Sequence, residues 1–202
     1  MIKTEMLSKA FGDNQVMRNV SVTFADGSRT YLMGPSGCGK TTFLSLLMGL
    51  QKPDAGTVHL PDHCRFGVVF QENRLLSQSS AIANLKLVCG RKYPEEMLHD
   101  ALEQVGLERA SHLLPASELS GGMARRVSIV RAMLADADVI LMDEPLKGLD
   151  EENRRKTIDF IKAHLGNKTL IVVTHDARDP RDFDASVIDF EKLQEGGAAW
   201  FA

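Results

Sequence analysis

Gly34, Pro35, Ser36, Gly37, Cys38, Gly39, Lys40, Thr41 and Thr42 run consecutively and fit the pattern G-x-x-x-x-G-K-[ST]. Those residue types at that spacing suit one task, holding a polyphosphate. Phosphate oxygens call for many hydrogen-bond donors in a small concave space. Backbone N–H groups supply them only where no side chain intervenes, hence the glycines at 34, 37 and 39. A helix starting behind the loop turns its unpaired N–H groups and the positive end of its dipole toward the same oxygens. Lys40 adds a mobile positive charge over the β- and γ-phosphates, and the Thr41 hydroxyl is placed to ligate Mg2+.

Two later groups of residues complete that chemistry. The apolar run Val139-Ile140-Leu141-Met142 ends in Asp143, Glu144 and Pro145. In a parallel sheet, ligands collect beyond the carboxyl ends of strands. Asp143 is therefore aimed at the Mg2+ held by Thr41, and Glu144 is the natural general base for a water attacking the γ-phosphate. Thr174, His175 and Asp176 follow the next apolar run. His175 thus repeats the position of Asp143, suited to hydrogen bonding the γ-phosphate or positioning the water. The competing readings are a solvated glycine turn, an acidic strand end and a structural histidine.

The surrounding pattern supplies elements to hold these groups. Strands are expected at Ile2–Met6, Val20–Phe24, Arg29–Met33, Thr57–Leu60 and Phe66–Phe70, with Asp26-Gly27 as a hairpin turn before the strand that feeds the phosphate loop. Thr42–Met48 reads as the helix behind the loop. The middle of the chain turns helical over Ala81–Val88, from Pro94 to near Gly106, and over Gly121–Leu134. Buried strands at Val139–Met142 and Leu170–Thr174 flank an amphipathic helix, Glu151–Leu165, that Asp150 caps. Ser186–Phe190 reads as a last strand, and Gln194–Ala202 carries no signal. Apolar strands separated by helices predict an α/β fold, with a mostly parallel sheet covered on both faces.

Composition bounds the rest. A chain of 202 residues suits one domain with a substantial core, and 44% hydrophobic with 25% charged residues is ordinary for a globular protein. A net charge of -3 argues against a broad nucleic-acid-binding surface, so no nucleic-acid partner is expected. No apolar stretch approaches the length of a membrane span, and the first residues lack the pattern of a secretion signal. Cys38, Cys64 and Cys89 form no C-x-x-C pair, which suits reduced thiols in the cytosol. His63-Cys64 lacks a second pair of metal ligands.

Leu119-Ser120-Gly121-Gly122-Met123 carries family-level content. Together with the phosphate loop (the Walker A segment) and Val139–Pro145, it appears in the order and approximate spacing of the ATP-binding cassette (ABC) ATPases, which essentially the whole chain resembles. The resemblance implies a P-loop NTPase domain spanning 1–202. Its RecA-like core covers about 1–78 and 136–202, with an N-terminal antiparallel β part and an inserted helical subdomain at about 79–135. Ser120 and the N–H groups of Gly121 and Gly122 offer a second anion-binding helix end. In the family this signature closes over the ATP held by a neighbouring subunit. A second copy, or a related ATPase, is therefore implied. By the same matching, Gln71 resembles the glutamine that touches Mg2+ and senses the membrane partner. Phe11 resembles the aromatic that stacks on adenine, with an ordinary core phenylalanine as the competing reading. Gly148-Leu149-Asp150 resembles the D-loop at the dimer interface. Met123 stands where glutamine is usual, and Lys147 is also unusual. A bulky adduct on Cys38 would block the phosphate loop.

The implied function is an ATPase with ATP and Mg2+, working at the cytoplasmic face of the membrane through a separate transmembrane permease. Gln71–Leu76 resembles importer ATPases of the nitrate, sulfonate and taurine type, which implies an importer and, with it, a substrate-binding protein. The alternatives are a soluble ABC ATPase acting on ribosomes or DNA, and a cassette serving cell-division or lipoprotein-extrusion machinery.

Overall fold

The first two strands form one long hairpin. β1 (Ile2–Phe11) and β2 (Asn14–Phe24) pair antiparallel, turning at Gly12 and Asp13. Their inward residues, among them Leu7, Met17, Val20 and Phe24, are fully buried. β4 (Ala55–His59) adds to the free side of β1, and β9 (Ala198–Phe201) runs parallel to β2. The computed structural model describes residues 1–90, 92–194 and 198–201. The chain divides into two units, Met1–Phe66 with Asn167–Ala202, and Gly67–Gly166.

β3 (Arg29–Met33) does not continue the hairpin. It lies between β7 (Thr169–Thr174) and β8 (Ser186–Asp189), parallel to both. The Asp26-Gly27 turn therefore hands the chain from an antiparallel to a parallel sheet, and the expected hairpin does not form. The reason is burial. Thr30, Tyr31 and Leu32 are all inside, so β3 has no wet face and needs cover on both sides. The turn itself is tied to β7: Gly27 N–H donates to Thr169 Oγ1 at 3.0 Å, and Leu170 N–H to the Ser28 carbonyl at 2.8 Å.

After the phosphate loop comes α1 (Lys40–Leu47). Its Phe43 is fully buried, with ring centroids 6.3 Å from Phe24 and 5.5 Å from Phe190. Burial of one such ring stabilises by roughly 1.5–3 kcal/mol. α6 (Asp179–Asp182) follows β7, and α7 (Phe190–Gln194) follows β8. The last expected strand thus ends at Asp189, and Phe190 opens a helix. The Asp189 carboxylate accepts the N–H groups of Glu191 and Lys192 at 3.1 and 3.4 Å, which caps that helix and stops the strand.

The second unit is mostly helical. β5 (Phe66–Val69) neighbours β6 (Val139–Asp143), all five of whose residues are buried. Around them run α2 (Ala81–Cys89), α3 (Glu95–Gln104), α4 (Gly121–Leu134) and α5 (Glu151–Leu165). Gly67 is where β5 meets α4, because a Cβ there would lie 2.4 Å from the Ala132 carbonyl oxygen. Local side-chain caps start three of the helices. Ser80 accepts Ala83 N–H, Ser120 accepts Met123 N–H, and Asp150 accepts Asn153 N–H, the last as its sequence position predicts. From Ala124 to Leu134 every residue of α4 except Arg131 is buried, so its arginines at 125 and 126 sit inside and need partners.

Candidate nucleotide site

In the first unit, β3 runs straight into the glycine loop. Lys40 is folded over it, its Nζ donating to the carbonyls of Gly34 and Pro35 at 2.7 Å each and lying 3.5 Å from Cys38 Sγ. Lys40 is 7% exposed, so its positive charge is held at the loop with little water around the residue. Gly39 caps α1 at φ 101°. A Cβ there would stand 2.6 Å from the Val16 carbonyl oxygen, so both the backbone angle and the space demand glycine. Pro35, Ser36, Gly37 and Thr41 are exposed, and Thr42 is half-buried. The loop and Thr41 are thus both open to solvent.

Register places His175 relative to that loop. Met33 lies opposite Thr174 on parallel strands, so Gly34 and His175 leave the sheet at the same carboxyl edge. The chain beyond His175 is held by Thr174, whose Oγ1 donates to Asp179 Oδ2 at 2.8 Å and accepts Asp176 N–H at 3.1 Å. His175 itself is exposed. Phe11, at the end of β1, is 48% exposed and so is not a core residue. Asp54 anchors its neighbours by accepting Lys9 Nζ and Ala10 N–H at 2.7 Å each. Lys9 Nζ lies 5.5 Å from the Phe11 ring centre. An accessible ring face at a pinned hairpin tip is what base stacking requires.

In the second unit, Asp143 ends β6 buried, and Glu144 follows at φ 50°. Non-glycine residues held in the left-handed region are uncommon and concentrate at functional sites. Gln71 lies just past β5, exposed. Arg125 connects these groups: its guanidinium donates to the carbonyls of Phe70 and Gln71 and feels the negative charges of Asp143 and Glu144. Burial pushes that guanidinium below its ordinary value, and the two carboxylates pull it back.

At the start of α4, Ser120 and Gly121 are exposed, with nothing within 4 Å of a Cβ built on Gly121, while Gly122 and Met123 are half-buried. A Cβ on Gly122 would touch Leu149 at 3.5 Å, which puts the signature against the Gly148-Leu149-Asp150 loop. Arg126 strengthens that contact. It donates to the carbonyls of Val105 and Gly106 at 2.9 and 2.8 Å and to Asn153 Oδ1. Asn153 in turn donates its side-chain amide to Asp150 Oδ2 at 2.6 Å. The Asn153 backbone N–H, and then its side-chain amide, hold the Asp150 carboxyl below its ordinary value, with the Arg126 charge adding to them. Arg125, Arg126 and Asn153 were not among the candidates read from the sequence. A pair of arginines inside an otherwise buried helix was the available signal.

Similarity to known proteins identifies the family. The ABC transporter family matches residues 17–147. The chain is 34% identical over 196 residues to the arginine transport ATP-binding protein ArtM of Bacillus subtilis, covering 87% of this chain and 81% of that protein. It is 36% identical to the Fe(3+) ions import ATP-binding protein FbpC of Brucella abortus, covering 96% of this chain but 59% of that longer protein. It is 35% identical to an aliphatic sulfonates import ATP-binding protein, SsuB 1, of Pseudomonas aeruginosa, covering 84% and 74%. Among solved structures, the ATP-binding cassette MJ0796 in a dimeric post-hydrolysis state with ADP and Pi superposes with a TM-score of 0.79 at 29% identity, covering 90% of this chain and 91% of that one. Fold, motif order and relatives converge: the chain belongs to the ABC transporter family, as its ATP-binding cassette.

Proposed function

We propose that this protein binds and hydrolyses ATP to power transport of a substrate across a membrane through a separate permease, as an importer. The observation that carries the reading is the phosphate loop of a family cassette, with Lys40 held over it and His175 at the same sheet edge. Relatives named for ferric ion and sulfonate import support an import role, and another is named for arginine transport. Their differing cargoes support the reading that the permease, not this chain, chooses the substrate. A substrate-binding protein completes such a system. On this reading the protein works peripherally, at the cytoplasmic face against the permease; among the described residues no helix is long and apolar enough to cross a membrane.

The assigned roles follow the chemistry. The loop N–H groups and Lys40 hold the phosphates of ATP, and Phe11 stacks on the base. Thr41, Gln71 and Asp143 offer a hydroxyl, an amide carbonyl and a buried carboxylate, the all-oxygen set that Mg2+ selects. A Mg2+ held by these oxygens would neutralise charge on the phosphates. Glu144 takes the proton of the attacking water, and His175 orients it. Ser120, Gly121, Gly122 and Met123, with Asp150 beside them, meet the ATP of a second cassette, a copy of this chain or a related one. A RecA-like core, about residues 1–78 and 136–202, and a helical subdomain, about 79–135, divide the work between nucleotide and permease.

Co-purification from detergent-solubilised membranes tests the reading. A polytopic membrane protein bound to the chain, with ATP hydrolysis that depends on Mg2+, is the expected result. Ribosomal material or DNA in its place overturns it.

A further inference from the structure

The rear of the phosphate loop is built by residues distant in sequence. β2 passes behind Gly39 at Val16. α7 covers the same side, its buried Phe190 ring 3.6 Å from where a Gly39 Cβ would stand and its own Cβ 3.7 Å from where a Gly34 Cβ would stand. Four residues on, on the same helix face, Gln194 makes two hydrogen bonds. Its Nε2 donates to the Cys38 carbonyl at 2.9 Å, and its Oε1 accepts the Arg18 backbone N–H at 3.3 Å. One side-chain amide therefore ties the loop to β2.

The peptide bond between Cys38 and Gly39 is planar and trans, so its C=O and N–H point in opposite directions. Holding the Cys38 carbonyl outward, toward Gln194, aims the Gly39 N–H the other way. A glycine next to that bond is free to let the peptide plane rotate, because its φ is unrestricted by a side chain. A donor on the carbonyl removes that freedom. We propose that Gln194 is a positioning residue of the nucleotide site, which orients the Gly39 N–H toward the bound phosphates by gripping the Cys38 carbonyl. The inference rests on the assignment of residues 34–42 as the phosphate loop.

Two size-matched variants test it. Gln194→Glu keeps the acceptor for Arg18 but loses the donor to Cys38; Gln194→Met loses both. Nucleotide affinity, KM, kcat and melting temperature are measured for each beside the unmodified protein. We expect both variants to bind ATP about three- to tenfold more weakly, the worth of one oriented hydrogen bond. KM should rise with kcat nearly unchanged, because the contact serves ground and transition states alike. Unchanged affinity and KM in Gln194→Glu overturn the proposal, including the case where only the melting temperature falls, which marks a purely structural contact. Failure of the unmodified protein to bind ATP removes the phosphate-loop assignment beneath it, a distinct outcome.

Discussion

The Arg125 guanidinium donates to the backbone carbonyl of Gln71, joining the interior of the signature helix to the segment assigned to the permease and Mg2+. The same guanidinium holds the Phe70 carbonyl and faces the charges of Asp143 and Glu144. A buried cation thus links three segments with separate roles through one rigid fork. Displacement of Gln71 by a partner must either move α4 with it or break these bonds.

Arg125→Met should leave two carbonyls without their donor and remove the charge opposite the carboxylates. We expect a loss of about 1–3 kcal/mol in stability, read as a lower melting temperature. Arg125→Lys should recover part of the charge but not the paired geometry. An unchanged melting temperature in Arg125→Met contradicts the link.

Lys40→Ala should abolish productive ATP binding while the fold persists, because among the described residues the hydrogen bonds of Lys40 go to carbonyls of its own loop and the Cys38 sulfur. Titration with ATP measures this directly. Wild-type affinity in the variant removes Lys40 from the site.

Glu144→Gln should retain ATP and lose hydrolysis by roughly 10²–10⁴-fold, the scale of a positioned general base. With hydrolysis blocked, ATP should hold two cassettes together, seen as a dimer in sedimentation with Mg-ATP. Normal turnover in the variant assigns the base elsewhere.

Acidification should weaken the second unit through His112. This ring is fully buried, its Nε2 donates to the Leu107 carbonyl at 2.9 Å, and its Nδ1 lies 2.7 Å from Nδ1 of His99. Burial pushes its pKa below the ordinary 6.5, the Leu107 carbonyl opposes this, and the neighbouring His99 adds to the lowering. The unfolded chain therefore takes up the proton first. Stability is full above about 6.5 and falls as pH drops through and below it. Melting temperatures should fall from about pH 7.5 to about pH 5.5, roughly one unit either side of that value. In His112→Gln the decline should be smaller, and an equal decline rules out His112 as its source.

Much of the site was legible because its chemistry is contiguous. The glycine loop with Lys40 and Thr41, the Asp143-Glu144 pair, the Ser120 signature and the Asp150 cap are each compact in sequence, so spacing along the chain makes them candidates. Which strand lies beside which is a different kind of fact. Asp26-Gly27 has hairpin chemistry, yet β3 leaves β2 to lie between β7 and β8, because burying both faces of Thr30–Leu32 outweighs a local turn preference. Phe190 reads as strand until the Asp189 carboxylate is seen to cap it. The partners of Arg125 and Arg126, and the grip of Gln194 on a carbonyl 156 residues away, depend on where distant backbone ends up once the core has packed. Local hydrogen bonding and periodicity are written in sequence order. Long-range pairing is settled by which apolar faces exclude water together, and only the folded chain displays it.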